Sequence, residues 1–381
     1  MVKKIALLGA TGSIGDSFFK VYKEHKASIK ISFAAAHSNV AKLCELATTY
    51  KIPQISFTGI EESSTQRMIR NQYPQIKIYF GKESLLSLLA EEDYDIGLNA
   101  IGGSAGIEAT FAILNKGVRL ALANKESLVM GGHLVQKLRQ PGQIIPIDSE
   151  HSAIFQALGK HPRNEVQKLI ITASGGAFRT LDLAEFIHIT PQMALKHPNW
   201  DMGAKVTLDS ATMFNKALEV MEAHWLFDLD YDQIEAVIHP QSIIHSMVQY
   251  IDGSILAQMS SPDMSLPILY ALSYPERWQS SLVQTDLIAK PDLSFDHICP
   301  ERFPLFYLGL EAARQGGIFP TAINAAVEAA MKLFLEAQIS FPQIYTLVEK
   351  TLGSTTQIAE PDLDTIIRAN KEYYYKCLAL I

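Results

Sequence analysis

The sequence predicts an α/β protein with a Rossmann-like N-terminal domain, a central α+β domain and a C-terminal helical bundle. Three observations carry this. Up to about residue 148, short apolar runs alternate with helical periodicity, the sign of βαβ units and a parallel sheet. Between Lys168 and Ser260 several extended runs follow one another. From residue 301 onward the pattern is almost wholly helical, as in a small bundle.

In order, the candidate strands of the first region are Lys4–Leu8, Lys30–Ala35, Gln54–Phe57, Asp95–Asn99, Arg119–Leu122 and Gln143–Ile147. Helical stretches fall between them at Ile14–Glu24, Val40–Tyr50, Lys82–Ala90, Gly106–Lys116 and Glu126–Leu138. Beyond residue 149 the extended runs are Lys168–Ala173, Ile234–His239, Ile243–Tyr250 and Ser254–Ser260, with Asp252-Gly253 marking a hairpin. Pro275, Pro291 and Pro300 punctuate a loop-like segment, and four helices follow at Leu305–Gln315, Thr321–Ala337, Phe341–Thr351 and Pro361–Ile381. The expected domains are therefore 1–148, 149–275 and 301–381, with 276–300 as a linker.

At 381 residues the chain is too long for one core of ordinary size. Its 48% hydrophobic and 19% charged residues, with a mean hydropathy of +0.08, describe a well-buried soluble protein. A net charge of -7, without a basic stripe, argues against nucleic acid as a partner. Cys44, Cys299 and Cys377 are widely spaced, so a reduced, cytoplasmic compartment is expected. No apolar stretch reaches transmembrane length, and none at the N-terminus is long enough for a signal-peptide core, so no membrane association is expected.

Gly9-Ala10-Thr11-Gly12-Ser13-Ile14-Gly15 ends the first strand and opens the first helix. This GxxGxxG spacing is a variant of a dinucleotide loop. Its glycines let the backbone approach a pyrophosphate, whose charge sits on the N–H groups of the helix end. The second strand ends in Ala36-His37-Ser38-Asn39 without an acid. An NAD-preferring site usually carries Asp or Glu there for the ribose 2′-hydroxyl. His37, Ser38 and Asn39 can donate to a 2′-phosphate, which favours NADPH over NADH. A plainer reading makes Ser38-Asn39 the N-cap of the next helix, and the two are compatible.

Asp148-Ser149-Glu150 closes the apolar run 143–147. On an extended backbone the two carboxylates would point the same way and could share one hard cation, Mg²⁺ or Mn²⁺. The plainer reading is a helix cap, with Glu150 facing the dipole. For an isolated triplet the cap would prevail. The balance changes at Ser210-Ala-Thr-Met-Phe-Asn215-Lys216-Ala-Leu-Glu219, where Asn215, Lys216 and Glu219 share a helix flank. Here the plainer reading is a surface helix with one Lys–Glu pair. Before it lie Pro198-Asn199-Trp200-Asp201-Met202-Gly203, lid-like in composition, and Ser174-Gly175-Gly176, which suits a phosphate nest. His197, at the foot of the lid, could hydrogen-bond substrate oxygens.

Taken in order, the dinucleotide loop, Asn124-Lys125-Glu126, Asp148-Ser149-Glu150-His151, Ser174-Gly175-Gly176, His197 to Gly203 and Ser210 to Glu219 resemble the 1-deoxy-D-xylulose 5-phosphate reductoisomerase family. The resemblance runs from residue 4 into the C-terminal helices. It implies NADPH-dependent conversion of 1-deoxy-D-xylulose 5-phosphate into 2-C-methyl-D-erythritol 4-phosphate in non-mevalonate isoprenoid biosynthesis, by retro-aldol cleavage, re-aldol addition and reduction. It makes the central domain catalytic and the protein a homodimer paired through that domain.

By the same resemblance, Asp148, Glu150 and Glu219 would hold one divalent cation, Mg²⁺, Mn²⁺ or Co²⁺. Ser149, Ser174, His197, Ser210, Asn215 and Lys216 would hold the phosphorylated sugar, and Lys125 would approach its reacting oxygens. Thr11, Gly12, Ser13, Ile14, Asn124, Glu126 and Gly203 would contact NADPH, and Trp200 and Met202 would form the lid. The chain departs from the family pattern at His37-Ser38, where glycine and a basic or small polar residue are usual, and at Ala204, where arginine is frequent. Another NADPH oxidoreductase, of the homoserine or semialdehyde dehydrogenase kind, would explain the first domain. It would need no acid triplet facing an Asn-Lys-Glu helix.

Overall fold

The computed structural model describes residues 2–196, 200, 203–289 and 292–381. It divides into two compact units, each built from several stretches of chain. The first comprises Met1–Asn124, Lys137–Ser152 and Asp263–Gln284; the second comprises Lys125–Gln136, Ala153–Pro262 and Thr285–Ile381.

The first unit is the βαβ region. Its elements are β1 (Lys3–Leu8), α1 (Ser13–Glu24), β2 (Ile29–Ala36), α2 (Val40–Tyr50), β3 (Gln54–Phe57), α3 (Ser63–Gln72), β4 (Lys77–Phe80), α4 (Lys82–Glu91), β5 (Ile96–Asn99), α5 (Ile107–Lys116) and β6 (Arg119–Leu122). After α6 (Glu126–Leu138), β7 (Ile144–Pro146) completes the sheet. All seven strands run parallel, in the order β4-β3-β2-β1-β5-β6-β7. Strands covered on both faces read as continuous apolar runs, and every residue of β3 and β5 is buried. The strand order reverses between β1 and β5, so a crevice forms beyond their carboxyl ends, where the loop at 9–15 lies.

α7 (Ser149–Leu158) follows β7, and the second unit then builds a four-stranded sheet. β8 (Val166–Ala173) precedes α8 (Pro191–Ala194), α9 (Ala204–Ala211) and α10 (Phe214–Phe227). β9 (Ile234–Ile238), β10 (Ile244–Tyr250) and β11 (Ile255–Met259) come next. The order is β11-β10-β8-β9, with only β8 and β9 parallel. The hairpin turns at Asp252-Gly253 as expected, with Gly253 at φ +88° and the Asp252 carboxylate accepting from the Ser254 N–H at 2.9 Å. α11 (Ser265–Ser273) belongs to the first unit and packs against α1. α12 (Pro304–Gln315), α13 (Phe319–Leu335), α14 (Phe341–Gly353) and α15 (Leu363–Leu378) form the expected bundle, with α13 buried along most of its length.

Three elements of the first unit escape the pattern. α3 buries only Ile69 and β4 only Ile78, so neither shows an apolar period. α11 is apolar on nearly every side and carries Pro267, so it lacks an amphipathic stripe. Its return to the first unit also means that the units are not the linear segments 1–148, 149–275 and 301–381.

Candidate active site

In the first unit the glycines of the dinucleotide loop divide by cause. A Cβ on Gly9 would stand 2.2 Å from the Ala100 carbonyl oxygen, and one on Gly15 would stand 2.1 Å from that of Ala10. Both are required by the packing of β1, α1 and the β5 loop. Gly12 is different: its nearest neighbour would be the Gly9 oxygen at an ordinary 3.5 Å. Among the described residues nothing excludes a side chain there, so the bare backbone at Gly12 suits a ligand that must come close. Gly12 is also the N-cap of α1 and supplies no side-chain acceptor, and the first N–H groups of any α-helix lack intrahelical partners.

Around this loop, Asn39 is the N-cap of α2, its Oδ1 accepting from the Lys42 N–H at 3.1 Å. His37 turns toward Thr58, 3.2 Å from its Oγ1, and its ring fills the space a Cβ on Gly59 would take. No motif marks Lys42, whose ammonium donates to the Thr11 carbonyl at 3.0 Å and pairs with Asp16 at 2.7 Å. Its signal was available: Lys42 stands in the first turn of α2, beside the expected 2′-phosphate site. The Asn124 amide is buried and donates to the carbonyls of Ile101 and Gly103, both at 2.8 Å, bracing the loop after β5.

Asp148 and Glu150 do not lie on an extended backbone. The Asp148 carbonyl accepts from the Ser152 N–H at 2.8 Å, so α7 begins here, with Asp148 at its N-cap position and Glu150 in its first turn. The cap reading is correct for the backbone, and it holds both carboxylates at the positive end of a helix. The fully buried His151 ring, 3.5 Å from the Asp148 carboxylate, orients that group. Ser149 donates to the Glu150 carboxylate.

In the second unit the Asn-Lys-Glu helix is not a surface helix. Lys216 is 3% and Glu219 1% exposed. The Glu219 carboxylate accepts from Asn215 and Lys216, and the Lys125 ammonium lies 3.2 Å away. Asn215, Lys216 and Glu219 therefore meet as their spacing predicts, and Lys125 joins them from the start of α6. Lys125 also faces Glu222 at 3.9 Å, an acid one turn beyond Glu219 that the same helical spacing could have exposed.

The turn between α9 and α10 presents Ser210 on one side and Asn215 on the other. It passes through Met213 at φ +60°, a left-handed conformation costing a non-glycine residue roughly 1–3 kcal/mol. Gly176, at φ +69°, packs so closely on this turn that a Cβ would sit 2.4 Å from the Ser210 carbonyl oxygen. The Ser174 hydroxyl accepts from the Gly176 N–H at 3.2 Å, so the Ser174 and Ser210 segments adjoin. The Trp200 ring lies 6.0 Å from that of His245, which contacts the Ser260 hydroxyl at 2.9 Å. His197 and Met202 lie outside the described residues, and Gly203 is the exposed N-cap of α9.

A second charged group stands behind this one. The Lys205 ammonium is 3.0 Å from Glu126 and 3.0 Å from Asp209, both carboxylates buried. Burial pushes the Glu126 carboxyl up, but Lys205, with help from Lys125, outweighs it and holds the group below its ordinary range. Burial dominates at Asp209 and raises its carboxyl against the pull of Lys205, with Glu126 adding repulsion.

Comparison with known proteins agrees along the whole chain. Residues 5–132 match the family model described as 1-deoxy-D-xylulose 5-phosphate reductoisomerase. Residues 144–227 match that of its C-terminal domain, and residues 259–374 that of a DXP reductoisomerase C-terminal domain. A 1-deoxy-D-xylulose 5-phosphate reductoisomerase of Listeria welshimeri is 43% identical over 377 residues, covering 97% of this chain and 98% of the relative. That of Lysinibacillus sphaericus is 42% identical over 374 residues, with 97% of each chain covered. Among solved structures, a DOX-P reductoisomerase in complex with NADPH, fosmidomycin and magnesium superposes with a TM-score of 0.93 at 36% identity, over 99% of this chain and 98% of that one. The Zymomonas mobilis reductoisomerase in complex with NADPH gives a TM-score of 0.92 at 37% identity, over 100% and 99%. The chain belongs to the 1-deoxy-D-xylulose 5-phosphate reductoisomerase family.

Proposed function

We infer that the protein is the NADPH- and divalent-metal-dependent enzyme that converts 1-deoxy-D-xylulose 5-phosphate into 2-C-methyl-D-erythritol 4-phosphate in isoprenoid biosynthesis. The observation that carries the reading is the convergence of Asn215, Lys216 and Glu219 of α10 with Lys125 from the start of α6, Lys216 and Glu219 being buried. Buried charge of this density is costly to maintain and suits an anionic, oxygen-rich ligand.

In this reading Asp148, Glu150 and Glu219 are the ligands of one divalent cation. The donor set fits: three carboxylates and no thiolate suit Mg²⁺ or Mn²⁺, with Co²⁺ also admissible. Such a cation would supply Lewis-acid chemistry at the hydroxyketone oxygens. His151 holds the Asp148 carboxylate in place. Lys216, Asn215, Ser174 and Ser210 bind the phosphate, and Ser149 and His197 orient the sugar. Lys125 presents its ammonium to the reacting oxygens, and the segment with Trp200 and Met202 excludes water. Phosphate binding at the far end of the substrate thereby orients the reacting carbons.

NADPH would supply the hydride. The helix end at Ser13 and Ile14, the bare backbone at Gly12 and Thr11 would hold its pyrophosphate, and His37, Ser38 and Asn39 would hold its 2′-phosphate. Asn124, Glu126 and Gly203 would also contact it; the side chains of Asn124 and Glu126 are engaged elsewhere, which leaves their main chains for that role. The protein is a homodimer joined through β11, an edge strand whose Ile255 and Leu256 are exposed beside Ile251 of the hairpin. Among the described residues no helix is long and apolar enough to cross a membrane. All three cysteines are free thiols, which supports a cytoplasmic setting.

The decisive assay follows NADPH absorbance with purified protein. Oxidation is expected only when 1-deoxy-D-xylulose 5-phosphate and Mg²⁺ or Mn²⁺ are both supplied. Turnover that survives complete chelation would remove the metal assignment.

A further inference from the structure

We propose that Lys205 is a positioning residue of the reaction, holding the Lys125 ammonium and the Ser210 hydroxyl in register through its ion pairs with Glu126 and Asp209. The inference rests on the roles assigned above to Lys125 and Ser210. It concerns a residue to which neither the motif nor those roles give a task.

Glu126 follows Lys125, Asp209 precedes Ser210, and Lys205 stands two residues after Gly203. One ammonium, 3.0 Å from a carboxylate of α6 and 3.0 Å from a carboxylate of α9, therefore ties together three segments that each lead into the proposed site. The Asp209 Oδ2 accepts from Lys205, whereas its Oδ1 is buried with no hydrogen-bond partner among the described residues. Lys205 is thus the group that fixes the Asp209 side chain.

The Asp209 main chain takes part in the turn that opens α10. Its carbonyl accepts from the Thr212 hydroxyl at 3.1 Å, that hydroxyl accepts from the Phe214 N–H at 3.4 Å, and the Ser210 carbonyl accepts from the Met213 N–H at 3.1 Å. A displaced Asp209 would carry Ser210 and the first turn of α10, with Asn215 and Lys216, away from their places. Glu328 of α13 adds a third carboxylate to the field of Lys205, its carboxyl raised chiefly by burial.

Ion pairs made by buried carboxylates, as here with the half-buried Lys205, contribute little net stability compared with apolar packing, and their attested use is to select one register. Here the register is that of the substrate-binding groups. A misplacement of about 1 Å at such groups lowers turnover roughly a hundredfold.

The test compares Lys205→Met, Lys205→Arg, Asp209→Asn and the Lys205→Met/Asp209→Asn pair with the parent enzyme. Measured are kcat, KM for 1-deoxy-D-xylulose 5-phosphate at saturating Mg²⁺ and NADPH, NADPH affinity by fluorescence titration, and thermal midpoint. Lys205→Met is expected to lower kcat about a hundredfold and to raise the sugar-phosphate KM about tenfold at a temperature where it is folded, with Lys205→Arg recovering most of the loss. Asp209→Asn keeps the shape and the Lys205–Glu126 pair, so it folds even if Lys205→Met does not; a roughly tenfold loss in kcat/KM is expected. The two losses should overlap in the double variant, because they break one link. Parent-like kcat and KM in Asp209→Asn or in folded Lys205→Met would overturn the inference, as would losses that simply multiply. A parent protein inactive with substrate and Mg²⁺ would instead remove the functional reading itself.

Discussion

The two proposed binding regions of this protein are built from different materials. The nucleotide loop of the first unit is a backbone device, with glycines, a helix end and N–H groups whose positions follow from a strand, a turn and a helix consecutive in the chain. The charged group of the second unit is a side-chain device. Lys125, Asn215, Lys216 and Glu219 converge from two helices, and Lys205 with Glu126 and Asp209 stands behind them. The first depends on what is missing at Gly12; the second depends on ionised groups that are paired around buried carboxylates. A backbone device should fail by steric intrusion, whereas a side-chain device should fail by loss of one charge.

The largest effect should come from Glu219→Gln. The substitution keeps size and removes the charge that Lys125 and Lys216 face, so kcat should fall roughly a thousandfold, about 4 kcal/mol. NADPH affinity, measured by fluorescence titration, should stay within about twofold. A parallel loss of NADPH binding would erase the contrast between the regions.

Within the nucleotide loop, Gly15→Ala and Gly12→Ala should separate. The Gly15 Cβ would collide with the Ala10 carbonyl, so urea unfolding should show a loss of about 1–3 kcal/mol. Gly12→Ala should cost less than about 1 kcal/mol in stability, yet weaken NADPH roughly tenfold, because only the cofactor needs that space. Equal NADPH affinity in Gly12→Ala and the parent would show that this glycine is not part of the pyrophosphate site.

The smallest effect should be Asn39→Ala. Loss of its N-cap bond to Lys42 should cost about 1 kcal/mol in unfolding experiments. NADPH KM should rise only a few-fold, since Lys42 and His37 remain. A large KM change with no stability change would make Asn39 chiefly a phosphate ligand.

Much of the fold was legible because its signals are local. Parallel strands buried on both faces read as apolar runs, and the Asp-Gly hairpin needs only its own four residues. α3, β4 and α11 were hidden because one is polar, one is four residues long and one is apolar on nearly every side, so none carries a period. In the site, the i, i+3 and i, i+4 spacing of Asn215, Lys216 and Glu219 was readable on any helix. The backbone at Asp148-Ser149-Glu150 was misjudged as extended because strand end and helix start adjoin there, and the cap geometry appears only once Ser152 bonds back to Asp148.

By itself, the sequence determined the class of the fold, the dinucleotide loop and the residues that belong to the family pattern, since each rests on short-range spacing. Tertiary structure decided which glycines serve packing and which leaves room for a ligand, because a missing Cβ has meaning only beside its neighbours. It also decided that Lys216 and Glu219 are buried and that Lys205 is shared between two acids. Burial and charge pairing depend on what other segments bring into contact, and no spacing along one helix contains that information.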